Sequence, residues 1–342
     1  MTTSSLRPVR GTAAEVLALL REWEAAEDPP PLVIETSGST GRPKRVVLSR
    51  AAMRASVEAT HERLGGPGQW VLNLPPTYVA GVQVLFRSIV AGTEPVLFTN
   101  DVHDTVMQMT GPRRYISLVP TQLERCLGNR HDTEALGSFD AVLVGGGPLR
   151  RQTRLDAEAE DIRVVQTYGM SETCGGCVYD GVPLDAVALK IDADGQVLVG
   201  GPVLFDGYEG DPQRTTEALQ DGWFRTDDLG RLDDDGRLHV TGRVDDMVIS
   251  GGLKVPAGAV ERMLAEHPSV DHVAVVGAPD DEWGEVVVAI VATRKDVTLD
   301  ELRDLVTPRE WAPRRKLAVD DQPRLGNGKL DRLTARRWAA DA

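Results

Sequence analysis

The chain has 342 residues, and 38 Lys+Arg against 52 Asp+Glu give it a formal net charge of −14. An acidic balance of this size argues against a function led by binding to a phosphate backbone, so we expect no nucleic-acid partner. Apolar residues make up 41% of the chain and charged residues 26%, which is typical of globular proteins, and the length suggests about two domains. The longest apolar stretches, such as residues 286–292, fall short of the ~18 residues that a membrane helix needs, so we expect no membrane insertion.

The cellular compartment is indicated by the first residues and by the cysteines. Residues 1–10 contain two arginines and no apolar block of the kind found in signal peptides. The chain has only three cysteines, Cys126, Cys174 and Cys177, and a low cysteine content is typical of a reducing compartment. We therefore expect a cytoplasmic protein. The Cys174-x-x-Cys177 pair has no second pair or nearby histidine, which favours structural or free thiols over zinc or redox chemistry.

Short apolar runs alternate with helical patterns between residues 32 and 169. The predicted strands are 32–34, 71–74, 96–98, 116–119, 141–144 and 164–166. Helical periodicity covers 13–26, and further helices are predicted from Ser49 as a cap to residue 64, at 81–91, after Thr121 as a cap, and from Pro148 in a first turn. This alternation predicts an α/β fold with a mostly parallel sheet flanked by helices, and ligands at the C-terminal ends of its strands.

The pattern changes twice towards the C-terminus. After residue 175, Asp-Gly pairs at 194–195, 221–222 and 235–236 predict a part rich in β-hairpins. Residues 233–236 also resemble the start of a calcium loop, but they lack its spaced ligands and closing glutamate, so we interpret them as a turn.

A small α+β unit begins near Asp245. It is predicted to contain a strand at 247–250, a helix at 257–267 stopped by Pro268, strands at 270–276 and 286–292, and a helix that starts at the capping box Thr298-x-x-Glu301. We therefore predict a large domain over 1–244, a small domain over 245–342, and a link near 243–246.

Residues 35–44 have the composition of a phosphate-binding loop. Their sequence, Glu-Thr-Ser-Gly-Ser-Thr-Gly-Arg-Pro-Lys, follows an apolar strand and supplies hydroxyls, close backbone approach and the charge of Lys44. It is not a P-loop NTPase motif, because Arg42 and Pro43 separate Gly41 from Lys44. A flexible Ser/Gly turn would be the default for an isolated Gly-x-x-Gly.

This loop resembles that of the adenylate-forming superfamily, which includes acyl-CoA synthetases, luciferases and peptide-synthetase adenylation domains. The resemblance implies ATP as a substrate and catalytic roles for Thr40 and Lys44. The implied phosphate-binding residues are Thr36, Ser37, Gly38, Ser39, Thr40, Gly41 and Lys44.

Further motifs of the superfamily follow in the same order. Gly145-Gly146-Gly147-Pro148 and Gln166-Thr167-Tyr168-Gly169-Met170-Ser171-Glu172-Thr173 each follow a predicted strand. The resemblance implies that Tyr168 stacks on adenine and that Glu172, with Thr40, holds Mg²⁺. The other implied nucleotide contacts are Gly145, Gly146, Gly147, Gly169, Met170 and Ser171.

The segment 223–230, Trp-Phe-Arg-Thr-Asp-Asp-Leu-Gly, resembles the ribose motif of the superfamily. The resemblance implies that Asp228 accepts hydrogen bonds from both ribose hydroxyls. The superfamily usually has glycine where this chain has Asp227, which places an additional charge beside the site.

Two further motifs, one at the start of the small domain and one near its end, contain residues with implied roles in the reaction. Residues 242–252 resemble the hinge, which implies that Arg243 reaches the nucleotide, that Asp245 is the pivot, and that Gly251 and Gly252 line the pantetheine tunnel of coenzyme A. Residues 323–332 resemble the C-terminal lysine motif, in which Lys329 would stabilise charge between an attacking carboxylate and the α-phosphate. A solvated turn lysine is the alternative for an isolated Gly-Lys. The basic segment 309–342 can attract the phosphates of CoA or be a solvated tail.

Residues 74–87 are predicted to form the wall of the acid pocket. Gln83 and Arg87 are four residues apart and face the same side of their helix. The Gly-x-x-x-Leu-Phe-Arg arrangement at 81–87 resembles the o-succinylbenzoyl-CoA synthetases of menaquinone biosynthesis, whose arginine at this place pairs with a second, unactivated carboxylate. A surface charge is the alternative for Arg87. The implied acid-binding residues are Tyr78, Gly81, Arg87, Gly146 and Ser171.

These motifs together imply an AMP-forming acid–CoA ligase. Its reactants would be ATP with Mg²⁺, coenzyme A and an aromatic dicarboxylic acid, and the sequence leaves a homodimer open. Another aryl- or acyl-CoA ligase and a non-catalytic nucleotide-binding relative are the alternatives.

Overall fold

The computed structural model describes residues 4–36, 43–99, 101–324 and 330–342. The chain divides into two compact units. The first comprises Met1–Lys190, Leu198–Thr226 and Asp234–Leu238, and the second comprises Ile191–Val197, Asp227–Asp233 and His239–Ala342. Within the described ranges, every helix is too short or too polar to cross a membrane.

The first 183 residues form eleven strands and seven helices in the parts that are described. The strands are β1 (Ser5–Leu6), β2 (Val9–Arg10), β3 (Leu32–Thr36), β4 (Lys44–Leu48), β5 (Gln69–Leu72), β6 (Val96–Leu97), β7 (Arg114–Leu118), β8 (Ala141–Val144), β9 (Val164–Met170), β10 (Gly175–Tyr179) and β11 (Val182–Pro183). The helices are α1 (Ala13–Ala25), α2 (Arg50–Leu64), α3 (Val79–Val90), α4 (Val102–Val106), α5 (Pro120–Leu127), α6 (Arg130–Leu136) and α7 (Arg151–Ala159).

The remaining elements include the predicted hairpins and the small α+β unit. Hairpin strands and one helix come first: β12 (Ala188–Ile191), β13 (Gln196–Gly200), β14 (Gly207–Tyr208), α8 (Pro212–Ala218), β15 (Leu219–Gln220), β16 (Trp223–Leu232) and β17 (Leu238–Arg243). They are followed by β18 (Met247–Ser250), β19 (Leu253–Pro256), α9 (Ala257–Leu264), β20 (Val270–Asp280), β21 (Gly284–Thr293), α10 (Leu299–Asp304), β22 (Arg315–Ala318) and α11 (Arg332–Asp341).

A seven-stranded sheet organises the first unit, with the strand order β11-β10-β9-β8-β7-β5-β6. Strands β5 to β9 pair in parallel, and β10 returns antiparallel beside β9. The predicted α/β fold with a mostly parallel sheet is therefore confirmed. Because the strands are parallel, the loops after β7, β8 and β9 leave the sheet at one edge.

The predicted strand at 32–34 does not belong to this sheet. It lies in β3, which pairs antiparallel with β4 so that Thr36 is opposite Lys44, and β14 completes a three-stranded sheet. Sequence reasoning missed β4. Parallel neighbours need a crossover of a dozen or more residues, and only seven residues separate Thr36 from Lys44, so a hairpin is the only local pairing available.

Helix α3 begins at Val79, two residues before its predicted start, and three other helix ends also differ from the prediction. Helix α5 has Val119 at its N-cap and Pro120 in the first turn, so Thr121 lies inside the helix; proline is favoured at this position because its ring fixes a helical φ. Helix α7 begins at Arg151, three residues after Pro148. Helix α9 ends at Leu264 rather than at residue 267, in keeping with the restriction that Pro268 places on the residue before it.

In the second unit, helices α9 and α11 cover opposite faces of a sheet that contains β20 and β21. Val275 packs in one apolar cluster with Val260 of α9, whereas its neighbours Ala274 and Val276 pack with Ala335 of α11. Successive strand residues point to opposite faces, so the two helices sandwich β20. The predicted capping box at Thr298 and Glu301 is present at the start of α10.

Candidate active site

The glycines at residues 145–147 follow β8, beside the end of β9. Val144 is paired with Gln166, and a Cβ atom added to Gly145 would lie 2.4 Å from Thr167 Oγ1. Gly146 has a φ of +79°, a left-handed conformation that favours glycine. Only glycine fits where the chain leaves β8 beside Thr167 of β9, and the next two residues, 146 and 147, are exposed at the C-terminal end of the sheet.

The segment after β9 turns sharply into residues 171–173. Gly169 lies against β10, where an added Cβ atom would be 2.0 Å from the carbonyl oxygen of Gly175. Tyr168 is half-buried on β9, Met170 ends the strand, and Ser171 is buried at the start of a short 3₁₀ turn. This turn brings the next residue, Glu172, back towards β4.

Glu172 forms a charged cluster with side chains from two distant segments. Its carboxylate is buried, and Oε1 accepts a hydrogen bond of 2.9 Å from the Tyr208 hydroxyl. Lys44 Nζ lies 3.9 Å from the same oxygen and 5.7 Å from the centre of the Tyr208 ring. The second carboxylate oxygen makes no hydrogen bond to a described residue. The cluster therefore combines an oxygen ligand suited to Mg²⁺ with a cation suited to phosphate.

Thr36 ends β3 directly opposite Lys44, so the two flanks of the predicted phosphate loop lie side by side. Five predicted residues of that loop, Ser37, Gly38, Ser39, Thr40 and Gly41, lie outside the described residues.

The predicted wall of the acid pocket is the helix α3. Tyr78 is its N-cap residue and is 37% exposed. Gly81 sits against the preceding loop, because an added Cβ atom would lie 2.1 Å from the carbonyl oxygen of Pro75. Gln83 is buried and donates a hydrogen bond of 2.6 Å to the carbonyl of Cys174. Because α3 connects the parallel strands β5 and β6, it begins at the C-terminal end of β5 and returns along the sheet towards the N-terminal end of β6.

Arg87 lies in the interior, so it is not a surface charge. It is 4% exposed, and Nη2 donates to Thr60 Oγ1 at 3.2 Å and to the Tyr179 hydroxyl at 3.4 Å. Its guanidinium carbon lies 4.8 Å from the centre of the Trp70 ring. Among the described residues, no carboxylate forms an ion pair with Arg87, and its Nε has no hydrogen-bond partner.

The surroundings of Arg87 carry two more unused polar atoms. His61 Nε2 and Trp70 Nε1 are buried without hydrogen-bond partners in the described structure. Burial, and secondly the charge of Arg87, lower the pKa of His61 to about 4, so its imidazole is neutral at pH 7. A buried cation next to unsatisfied polar groups is a site that calls for an anion or ordered water.

In the second unit, Arg243 contacts three carboxylates. Arg243 donates from Nη1 to Asp228 Oδ1 at 3.1 Å and from Nε to Asp245 Oδ1 at 2.9 Å, and its Nη2 lies 3.5 Å from Asp227 Oδ2. Burial opposes the charged guanidinium, but the bond to Asp245 and the charges of Asp228 and Asp227 outweigh it and raise the pKa of Arg243. Arg243 therefore partly neutralises the additional charge that Asp227 places beside the site.

Gly251 and Gly252 form the two-residue turn between β18 and β19. Their φ values are +57° and +81°, which match a hairpin turn that requires left-handed residues. A Cβ atom at Gly251 would lie 2.4 Å from the Trp283 ring, whereas one at Gly252 would meet nothing within 4 Å. The predicted catalytic residue Lys329 lies outside the described residues.

Sequence reasoning missed several residues of these clusters. Tyr208 contacts Glu172 from 36 residues away, and Thr60 and Tyr179 contact Arg87 from other elements. Such contacts depend on sheet pairing and leave no periodic pattern. For the two tyrosines, the one available signal was a buried position on a strand, and an ordinary core tyrosine gives the same signal.

The cysteine pair is inert in this arrangement. Cys174 and Cys177 are free and fully buried. Burial raises the pKa of both thiols, that of Cys177 to about 12, so neither is a thiolate at neutral pH.

Comparison with known proteins identifies the family. The model of the AMP-binding enzyme family matches residues 9–209, and that of the AMP-binding enzyme C-terminal domain matches residues 259–329. A Mycobacterium tuberculosis protein named "Probable 2-succinylbenzoate--CoA ligase" is 43% identical to this chain, over 96% of this chain and 89% of its own length.

Solved structures give the same result. The Bacillus subtilis o-succinylbenzoate CoA synthetase in complex with the acyl-adenylate intermediate OSB-AMP is 30% identical, with a TM-score of 0.79, covering 91% of this chain and 69% of its own. The same enzyme with ATP and magnesium ion has a TM-score of 0.77 at 30% identity, covering 87% and 68%. The amide bond synthetase McbA from Marinactinospora thermotolerans has a TM-score of 0.81 at 30% identity, covering 90% and 68%. The chain belongs to the AMP-binding enzyme family, with the adenylate-forming fold that its motifs predicted.

Proposed function

We propose that this protein is an ATP-dependent acid–CoA ligase that converts o-succinylbenzoate to o-succinylbenzoyl-CoA in menaquinone biosynthesis. The 43% identity to a relative of that name supports the activity. The observation that carries the choice of acid is Arg87, a buried guanidinium without an ion-pair partner among the described residues. A dicarboxylate has a second charge that can fill this role, whereas a monoacid leaves the cation unpaired.

The reaction has two steps, formation of the acyl-adenylate and formation of the thioester. In the first, a carboxylate oxygen of the acid attacks the α-phosphorus of ATP, the bond from that phosphorus to the bridging oxygen breaks, and pyrophosphate leaves. In the second, the thiolate of coenzyme A attacks the acyl carbon, the acyl–oxygen bond to AMP breaks, and AMP leaves with the electron pair. The thiol proton passes to solvent.

Residues of the first unit bind the triphosphate and the adenine in this proposal. Thr36, Lys44 and the loop at 37–41 hold the phosphates, and Tyr168 stacks on adenine above the backbone of 145–147. Glu172 holds Mg²⁺ together with Thr40, and the ion, when bound, neutralises phosphate charge. The Tyr208 hydroxyl orients the Glu172 carboxylate for this role.

The acid lies along α3 in this proposal, with Tyr78, Gly81, Gly146 and Ser171 near its reacting end. Arg87 receives the second carboxylate deeper along the helix. The hydroxyls that already contact Nη2 would share the charge, and Arg87 Nε, which has no hydrogen-bond partner among the described residues, supplies a further donor.

The remaining roles fall to residues just before the small domain and to the small domain itself, over 245–342. Asp228 and Arg243 bind the ribose and phosphate of the nucleotide, and Lys329 stabilises charge in the first step. The small domain then turns about Asp245, which withdraws Lys329 and admits coenzyme A past Gly251 and Gly252. We further infer a cytoplasmic enzyme that acts on small-molecule substrates.

Pyrophosphate release with a panel of acids tests this function. We expect ATP- and acid-dependent pyrophosphate release with o-succinylbenzoate, trapping of the adenylate by hydroxylamine, and a CoA thioester when coenzyme A is added. Two monoacid analogues serve as matched controls, 4-oxo-4-phenylbutanoate and 2-propanoylbenzoate, in each of which hydrogen replaces one carboxylate. Equal kcat/KM for the diacid and for whichever monoacid is activated would reject o-succinylbenzoate as the specific substrate.

An adenylating enzyme with another acid or acceptor is the second candidate. The similarity to an amide bond synthetase favours it, because that protein has the same fold. In that case the panel would yield pyrophosphate with a different acid, or the adenylate would react with an amine in preference to coenzyme A. Absence of pyrophosphate with every acid would instead favour a non-catalytic nucleotide-binding relative.

A further inference from the structure

The carbonyl of Cys174 accepts two buried hydrogen bonds, one from helix α2 and one from helix α3. Gln83 Nε2 donates to it at 2.6 Å from α3, and Ser56 Oγ donates to it at 3.1 Å from α2. Gln83 is 1% exposed, and Ser56 and Cys174 are fully buried. Because a carbonyl oxygen has two lone pairs, the two donors together satisfy it and fix its direction. Cys174 is therefore fastened to both helices.

Cys174 ends the short turn that carries Glu172. Its φ is +51°, a left-handed conformation that is uncommon for a residue with a side chain, and its N–H donates to the carbonyl of Ser171 at 3.1 Å. Strand β10 begins at the next residue, Gly175, where an added Cβ atom would lie 3.4 Å from Gln83 Cγ. The chain thus turns back along β9 against the side chain of Gln83. Any shift of Cys174 is passed through the backbone to Glu172, two residues earlier.

The other hydrogen bonds of Glu172 come from a different part of the first unit. The Tyr208 hydroxyl donates to its carboxylate at 2.9 Å, and the N–H of Phe205 donates to its backbone carbonyl at 3.0 Å. Both donors belong to the segment 205–208, which contains most of β14. Gln83 instead connects the turn to α3, the helix along which the acid is proposed to bind. Its hydrogen bond therefore joins the proposed metal ligand to the proposed acid site.

Stability alone does not explain an amide at position 83. Gln83 Oε1 is buried and has no hydrogen-bond partner among the described residues, and Nε2 also lies 3.6 Å from Met53 Sδ, a weak acceptor. A buried acceptor without a partner costs free energy, whereas leucine would fill a similar volume without that cost. In a leucine variant, the Cys174 carbonyl would keep the Ser56 hydroxyl as a donor. The amide therefore contributes its contact with the turn rather than stability.

We propose that Gln83 is a positioning residue for Glu172: its bond to the Cys174 carbonyl holds the turn at which the Glu172 carboxylate meets the metal ion of the nucleotide. This inference rests on the proposed role of Glu172 as a ligand of Mg²⁺. It goes beyond that role, because Gln83 acts through the backbone of residues 172–174 and is not itself a ligand. Replacing a residue that orients a metal ligand typically lowers metal affinity about 10- to 100-fold.

The expected defect is a weaker response to magnesium. Gln83→Leu should reduce roughly tenfold the factor by which Mg²⁺ strengthens binding of α,β-methylene-ATP, an analogue that cannot release pyrophosphate. Binding of the analogue in EDTA should stay within about twofold of wild type, because the residues that bind the nucleotide are intact. A variant that only damaged the fold would weaken binding under both conditions. The magnesium concentration for half-maximal pyrophosphate release should also rise roughly tenfold.

The decisive experiment is a double-variant cycle on the full chain. Binding of α,β-methylene-ATP is measured by calorimetric titration with Mg²⁺ and with EDTA for wild type, Gln83→Leu, Glu172→Gln and the double variant, and thermal unfolding checks the fold. If Gln83 acts through Glu172, the magnesium response of the double variant should be within about twofold of that of Glu172→Gln.

The matched control is Ser88→Ala. Ser88 is a fully buried polar residue of the same helix, and its hydroxyl donates to the carbonyl of Val84 within that helix. The control variant should bind the analogue like wild type under both conditions. Should Gln83→Leu unfold, Gln83→Met keeps the length of the side chain and Ser56→Ala weakens the same carbonyl contact, and both are subjected to the same cycle.

The outcomes separate this inference from the role on which it rests. Losses that multiply in the double variant, or equal losses with Mg²⁺ and with EDTA, would show that Gln83 only maintains the fold. An unchanged magnesium response in Glu172→Gln would refute the ligand role and the positioning role together. A defective Glu172→Gln beside an unaffected Gln83→Leu would refute the positioning role alone.

Discussion

Replacing Arg87 with methionine tests whether the buried guanidinium recognises the second carboxylate of the acid. Methionine has a similar length and is apolar, so the substitution removes the charge with little change in packing. In the variant, the carboxylate would face only the hydroxyls of Thr60 and Tyr179. Breaking one partner of a buried charge pair costs about 2 to 5 kcal/mol, which corresponds to a loss of roughly 30-fold to several thousandfold in kcat/KM.

The assay compares the diacid with a monoacid rather than relying on one rate. Pyrophosphate release is measured with o-succinylbenzoate and with the activated monoacid analogue. Wild type should prefer the diacid by roughly 30-fold to several thousandfold in kcat/KM. Arg87→Met should lose that preference through a raised KM for the diacid. Arg63→Met is the matched control, because Arg63 lies in the last turn of α2, one turn after Thr60, and among the described residues it donates to the carbonyls of Val182 and Pro183 and not to Arg87's partners.

The pKa of His61 provides a second, independent measurement on the Arg87→Met variant. Its pKa is about 4, first because the ring is buried and second because the charge of Arg87 is close. Removing that charge should raise the pKa, while burial should keep it below the ordinary value of 6.5. A proton NMR titration measures this shift without any substrate. If the shift appears and the preference for the diacid survives, Arg87 is charged and near His61 but does not bind the acid, and the specificity argument is refuted.

Three further predictions concern other residues. Lys329→Ala should depress adenylate formation far more than thioester formation from pre-made adenylate, and equal losses in the two half-reactions would contradict its role. Glu172→Gln should slow adenylate formation about a hundredfold and raise the magnesium concentration required, because it removes a carboxylate ligand; an unchanged magnesium dependence would exclude it as a ligand. The folded-state pKa of His61 is lowered from 6.5 to about 4, so the folded protein favours the neutral imidazole. The contribution of His61 to the free energy of unfolding is therefore fully present above pH 6.5 and is lost as the pH falls towards 4. Urea unfolding of wild type and His61→Gln at pH 7 and pH 4.5 should therefore show the smaller pH dependence in the variant.

The sequence predicted best those features that depend on neighbours in the chain. Ser49 caps α2, which ends at Leu64 as expected, and the Asp221-Gly222 pair forms the two-residue turn between β15 and β16. These features follow from local hydrogen bonds and backbone freedom, which are properties of a few adjacent residues. The strand β4 was missed because it begins with two charged residues, and the three apolar residues that follow are too short a run to indicate a strand without its partner β3.

The candidate site was predicted unevenly for the same reason. Glycines at 145, 169 and 81 were singled out in motifs, and the structure gives each a steric reason in a neighbouring backbone or side chain. The contacts that orient the charged groups, such as Tyr208 with Glu172 and Thr60 with Arg87, join segments far apart in sequence. No spacing rule connects such pairs, because their distance is set by strand order and helix packing.

The partners of the cations explain how a chain of net charge −14 can act on anionic reactants. Lys44 lies beside Glu172, and Arg243 binds Asp228 and Asp245, so both charges are balanced within the protein in this structure. Such a cation can exchange a carboxylate for a phosphate without leaving a buried charge unpaired, and it therefore discriminates little between anions. Arg87 differs, because within the described residues its charge is shared only with hydroxyls and an aromatic ring. An anion that reaches Arg87 removes the cost of a buried unpaired charge, and an acid that lacks a second carboxylate cannot. The strongest discrimination between acids is therefore expected at Arg87, for which the described residues provide no carboxylate partner, so the preference for the diacid tests this site better than the overall rate does.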